Sequence, residues 1–263
     1  EAGHWLARNT QPGDIIALND VGAIAHISDR EVLDMGGLVS PEIAASIRDA
    51  ARFSCPHDLQ IARVMLGQRP ALVAVFPWFF PCLTAWEGAL QPFTQFVITG
   101  PTVIAGGEMV VYWPVWERWP VQPAIPASAQ PVEVDFDGGV NLRGYEFDAS
   151  DDSLTVTLWW QPDGRPAGDY TVFVHLIDAE GEILSQHDSR PQNGRFQTNW
   201  WRPGDIIADT HPLDFSEDIR EQAHALRLGL YPTGGGPRLA RIAAPIGQED
   251  LLIIELDADD LTP

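Results

Sequence analysis

The sequence predicts two domains of different class: a small α/β domain with a parallel or mixed sheet, followed by an antiparallel β-sandwich. Three observations carry this reading. The first 120 residues alternate short apolar runs with helix-opening signals, the pattern of strands joined by crossover helices. Prolines at 114, 120, 123, 126 and 131 then crowd one stretch, which suits an extended connection better than a helix or a central strand. Beyond them the apolar period becomes two, with turn signals between the runs. The boundaries read as 1–120 for the α/β domain, 121–131 for a Pro-rich linker and 132–263 for the β-sandwich.

Trp5 to Asn9 reads as the end of a helix, closed by the turn Gln11-Pro12-Gly13. Asp14 to Leu18 is a short apolar strand of the buried type. Asn19 and Asp20 read as caps for the helix VGAIAHIS, and Arg30 to Met35 as a second strand. Ser40-Pro41-Glu42 opens a helix, with Ser40 at the N-cap and Pro41 at the first helical position. A further helix covers Asp58 to Leu66, ahead of a third strand from Ala71 to Phe76. Phe93 to Trp113 switches to alternation around Gly106-Gly107, a hairpin that adds antiparallel edge strands. In the second half, Leu154, Val156, Leu158 and Trp160 alternate with Thr155, Thr157 and Trp159. Val172, Val174 and Leu176 alternate with Thr171, Phe173 and His175 in the same way. Turn signals such as Asp137-Gly138-Gly139 and Ala179-Glu180-Gly181 separate the runs, and Ser216 to Ala225 adds a helical turn.

Composition excludes several classes of function. Ten Trp and eleven Phe in 263 residues supply too much burial for a disordered chain. Thirty-seven acids face sixteen basic residues, all of them Arg, for a net charge of −21. Such a surface repels phosphate backbones and anionic headgroups, so no nucleic-acid partner is expected. The imbalance is concentrated after residue 130, where 25 acids face 9 Arg. The uncharged, strongly apolar run Pro70 to Trp86 is short for a membrane span and is broken by Pro77 and Pro81.

No catalytic constellation stands out. On an open parallel sheet, ligands gather at the carboxyl ends of the strands, where Asn19, Asp20, Asp34 and Trp78 are the candidate ligand-binding residues. The bland alternative for the polar ones is helix capping. VGAIAH is not a Gly-rich dinucleotide fingerprint, and no cofactor is implied. His175 and His187 flank a tight hairpin and are weak metal candidates, sharing a face only in one of two registers. Trp159, Trp160, Trp200 and Trp201 are candidates for stacking on sugar rings, but adjacent strand residues point to opposite faces, so one of each pair should fill the core. Cys55 and Cys82 are either one disulfide or two buried apolar side chains.

The segment NDVGAIAHISDREVLDMGGLVSPEI, residues 19–43, resembles the extracytoplasmic part of bacterial multi-membrane-spanning glycosyltransferases of family 39, the protein-mannosyltransferase-like class. The matching positions are Asp20, Gly22, Ala23, Ile24, Arg30, Asp34, Gly37 and Leu38. The stretches NLRGYEF (141–147), DYTVFVHLIDAEGEILSQHDSRP (169–191), TNWWRPGDIIAD (198–209) and GLYPTGGGPRL (229–239) resemble a β-sandwich module that some of those proteins carry at the C-terminus. The resemblance implies catalytic acids in loops near the first membrane helices of a parent chain, so it carries no catalytic role onto any residue here. It implies a non-catalytic accessory region on the extracytoplasmic face of the membrane. The parent enzyme would use a polyprenyl-phosphate sugar donor, and the region's partners would be the membrane domain of its own chain and a carbohydrate or glycolipid acceptor. An extracytoplasmic location would favour Cys55–Cys82 pairing. The competing expectation is a free-standing extracellular carbohydrate-binding protein; a hydrolase built on Asp20 and Asp34 is the weakest reading, lacking a nucleophile or metal set.

Overall fold

The computed structural model describes residues 1–86, 88–97, 107–257 and 260. The chain divides into two compact units, Glu1–Val121 and Gln122–Pro263. An α/β unit with a mixed sheet precedes a unit of two antiparallel sheets, the class that the sequence predicts.

In the first unit, α1 (Ala2–Asn9) leads into β1 (Ile15–Leu18), α2 (Ala23–Ser28) and β2 (Glu31–Asp34). Two helices, α3 (Pro41–Ser46) and α4 (Cys55–Gln68), then cross to β3 (Leu72–Val75). The strands β4 (Leu90–Val97) and β5 (Glu108–Pro114) complete a sheet of order β2-β1-β3-β5-β4. β1 pairs in parallel with both β2 and β3, and β5 runs antiparallel to β3 and β4. Gly106 of the expected hairpin turn lies outside the described residues. β1 and β3 have almost no exposed residue, as strands covered on both faces must. On one face Leu6, Ile16, Leu18, Ala74, Phe76 and Met109 form a core, packed against Ile24 and Ala25 of α2.

Three local expectations are corrected. Asn19 does not cap α2, whose N-cap is Gly22; its Oδ1 instead accepts from the Phe76 N–H at 3.2 Å, tying the end of β1 to the end of β3. Ser40 holds the N-cap position of α3, but its hydroxyl accepts from the Asp34 N–H at 2.8 Å. α4 begins a turn before the expected Asp58, because Ser54 caps it by accepting from His57 N–H and Pro56 fits its first turn.

In the second unit one sheet has the order β11-β8-β7-β6, from β6 (Gln130–Phe136), β7 (Val140–Ala149), β8 (Ser153–Trp160) and β11 (Ile207–Asp214). The other has the order β10-β9-β12-β13, from β9 (Tyr170–Ile177), β10 (Ile183–Ser189), β12 (Ala225–Pro232) and β13 (Leu252–Glu255). A single helical turn, α5 (Glu217–Arg220), precedes β12. All residues of β9 are buried, as befits a strand flanked on both sides. Among the described residues no helix is long and apolar enough to cross a membrane.

Candidate functional site

The strand order of the first unit fixes where a cleft can form. From β1 the chain moves to β2 on one side, then returns past β1 to β3 on the other. Connections that leave neighbouring parallel strands in opposite directions part at their carboxyl ends, and the gap between them is where such sheets hold ligands. A cavity of about 370 Å³, counted with the solvent at its mouth, lies there. Asn19 follows β1, Met35 and Gly36 follow β2, and Phe79 and Phe80 follow β3. Ile47, Arg52, Phe53 and His57 close it from the α3–α4 side.

The far wall is braced by one carboxylate. Asp58 is fully buried, and its Oδ2 accepts from the N–H groups of Cys82 and Leu83 at 2.8 and 3.0 Å. Its Oδ1 lies 3.2 Å from His57 Nδ1. The disulfide Cys55–Cys82, Cα atoms 5.1 Å apart, fastens the same loop to the start of α4. The loop after β3 is therefore tied to α4 twice, covalently and through Asp58. Phe80 stacks on the His57 ring at 6.2 Å, and Phe79 stacks on Trp78 at 3.9 Å.

The polar side chains lining the cavity are an amide, a guanidinium and an imidazole, and none is a carboxylate. Asn19 Nδ2 is a buried amide without a hydrogen-bond partner in the structure. Arg52 is exposed and makes no ion pair among the described residues. His57 is buried; with Nδ1 against Asp58, the Asp58 carboxylate selects the tautomer protonated there and leaves a lone pair on Nε2.

Of the sequence candidates, only Asn19 lines this cavity. Asp34 is fully buried, and its carboxylate accepts from the N–H groups of Gly36, Leu38 and Val39; it shapes the loop and is closed to any ligand. Asp20 is half-buried outside the cavity wall. Trp78 is 47% exposed and backs the wall through Phe53 and Phe79.

The second unit separates its own candidates. His187 opposes Val174 and His175 opposes Gln186, so the register puts the two imidazoles on opposite faces and rules out a shared metal. His175 Nε2 meets Asp188 Oδ1 at 3.1 Å instead, and burial pulls its pKa down despite that carboxylate. Among the described residues no three His, Cys, Asp or Glu side chains are grouped to hold a metal. Trp160 and Trp201 are completely buried, 6.3 Å apart, and cannot stack on a sugar. Trp159 takes the opposite face of β8 as expected, yet is also buried, its Nε1 donating to Glu146 Oε2 at 2.9 Å. Trp200 is half-buried in the 3₁₀ turn Thr198–Trp200, so the second Trp pair is not on a strand.

His57 and Asp58 escape sequence reading because they sit in the Pro-containing first turn of α4, ahead of the apolar period. The available signal was Ser54-Cys55-Pro56-His57-Asp58, an N-cap followed by a helix-compatible proline.

A family model described as a domain of unknown function (DUF8728) matches residues 1–119. No curated protein sequence matches the chain. Among solved structures, the chain is similar to a β-glucuronidase from glycoside hydrolase family 2 at 10% identity and a TM-score of 0.26, over 45% of this chain and 11% of that one. It is similar to the C-terminal domain of wzt at 12% identity and a TM-score of 0.30, over 49% of this chain and 81% of that one. The chain thus spans about a tenth of the β-glucuronidase's length.

Proposed function

We propose that this chain is a non-catalytic, extracytoplasmic accessory region of a membrane glycosyltransferase that uses a polyprenyl-phosphate sugar donor. The observation that carries this reading is the fate of Arg30 and Asp34, two of the three charged matching positions in the segment resembling family 39. Arg30 donates to the carbonyls of Ala7, Thr10, Ser28 and Asp29 and to the Thr10 hydroxyl. Asp34 is spent on three backbone N–H groups. Both act as braces of the fold, with nothing left over for chemistry.

Two further observations support the setting. The carboxyl edge of the sheet presents Leu38 at 83% exposure, Val39 at 66% and Trp78 at 47%. Apolar side chains gathered at one edge call for a partner, and the membrane part of the parent chain is the one proposed. The Cys55–Cys82 disulfide suits an oxidising compartment. The test incubates the isolated chain with a polyprenyl-phosphate sugar and an acceptor, expecting no transfer and no hydrolysis. Turnover by the fragment, abolished by Asp20→Asn or His57→Gln, would sink the accessory reading. The coding region upstream of Glu1 gives a second test: a run of hydrophobic helices supports the reading, and a cleavable signal peptide supports the free-standing carbohydrate-binding alternative.

A further inference from the structure

We propose that the cavity at the carboxyl ends of β1 and β3 binds an anionic monosaccharide, a single sugar ring carrying one carboxylate or phosphate. This goes beyond the accessory reading and stands on the cavity alone.

The chain holds 37 acidic residues, yet no carboxylate lines this cavity; Asp34 accepts from backbone N–H groups, as does Asp58, which also lies beside His57 Nδ1. The polar side chains that line it include a guanidinium without an ion pair among the described residues and an amide whose buried Nδ2 has no hydrogen-bond partner in the structure. A buried amide donor left unmade costs about 1–3 kcal/mol, a cost that a ligand acceptor at Asn19 Nδ2 would remove. A guanidinium at the mouth matches the planar, two-oxygen edge of a carboxylate or phosphate.

A bare inorganic anion would leave the rest of the wall unused. His57 Nε2 offers a lone pair, the group that accepts from a ligand hydroxyl rather than from an anion. Phe53, Phe79 and Phe80 supply flat apolar faces that suit the C–H side of a sugar ring. Donor, acceptor, cation and apolar wall together describe a hydroxylated ring with one negative group.

The experiment titrates the 263-residue chain with glucuronate and with glucose 1-phosphate, following Asn19 and His57 side-chain signals by NMR and heat by calorimetry. Glucose and inorganic phosphate serve as controls. We expect saturable binding of at least one anionic sugar, about tenfold or more tighter than either control. Preference for glucuronate or for glucose 1-phosphate identifies the anion as carboxylate or phosphate. Arg52→Gln changes an exposed side chain and should weaken binding about tenfold at unchanged melting temperature. Asn19→Asp keeps the acceptor for Phe76 N–H but replaces the buried donor with an anionic oxygen, and should abolish binding. The proposal is overturned if neither anionic sugar binds, if glucose binds equally, or if Arg52→Gln binds like the parent. Inorganic phosphate matching glucose 1-phosphate, with glucuronate unbound, would equally overturn the sugar site. None of these failures touches the accessory reading, whose tests are the absence of turnover and the helices encoded upstream.

Discussion

His187 Nδ1 lies 3.0 Å from His211 Nδ1, linking β10 of one sheet to β11 of the other. A single proton serves that contact. Asp209 Oδ2 lies 3.0 Å from His211 Nε2 and its Oδ1 accepts from Gln192 N–H, so the carboxylate draws the His211 proton to Nε2. His211 Nδ1 then accepts and His187 Nδ1 donates.

This chain makes the second unit acid-sensitive. Burial first, and the neighbouring His211 second, hold His187 below its ordinary value; burial does the same to His175, outweighing Asp188. Both folded-state values lie below 6.5, so beneath that pH the unfolded chain binds more protons than the folded one. Their contribution is complete above 6.5 and is lost as pH falls through the window below it. Melting temperature should be level near neutrality and decline once the solution is more acidic than that. The double variant His175→Gln, His187→Gln should show a shallower decline in this window. Equal slopes for parent and variant would refute the assignment.

Reduction should loosen the first unit and with it the cavity. The Cys55–Cys82 bridge spans 27 positions, a loop whose closure stabilises by about 3–4 kcal/mol in the chain-entropy model. Cys55→Ser with Cys82→Ser should lower denaturation free energy by that order, while Asp58 still ties Cys82 and Leu83 to α4. Denaturant melts with and without reductant measure it. A reduced protein as stable as the oxidised one would show that Asp58 alone suffices.

Asp34→Ala leaves three buried or half-buried N–H groups without an acceptor and should cost on the order of 3 kcal/mol. Arg30→Gln removes five donations that join the end of α1 to the end of α2, and should cost a comparable amount. Losses below about 0.5 kcal/mol, the range of ordinary surface substitutions, would show that neither residue is a brace.

What could be read in the sequence was whatever local pattern alone decides. IIAL and ALVAVF are apolar throughout because their strands are covered on both faces, and the β-sandwich declares itself through alternation. The site was less legible, because its logic is tertiary. Asn19 looks like a cap by position, yet its amide is claimed by Phe76, 57 residues away. Asp34 looks like a free carboxylate until the loop after it folds back onto both oxygens. The register separating His175 from His187 depends on an irregularity between Ile183 and Ser185 that no spacing rule reveals.

The aromatic loop after β3 divides into an inner and an outer part, and the two should respond differently to substitution. Phe76 and Phe80 are buried, so Phe80→Ala should cost about 3–5 kcal/mol. Trp78 lies outside, stacked on Phe79 at 3.9 Å and beside Phe53 at 5.9 Å, with almost half its surface in solvent. Trp78→Ser loses those ring contacts, worth about 0.5–1.5 kcal/mol, and little else. If the carboxyl edge meets a membrane domain or the lipid interface, Trp78 is placed to make that contact without any basic residue, since indoles favour the interface on their own. Flotation of the chain with uncharged phosphatidylcholine vesicles measures it. We expect weak binding by the parent, reduced in Trp78→Ser and reduced further when Leu38→Ser is added, with melting temperature within a few degrees of the parent. A large loss of stability in Trp78→Ser would show that the indole is a core residue. Vesicle binding unchanged by both substitutions would leave the apolar edge to a protein partner.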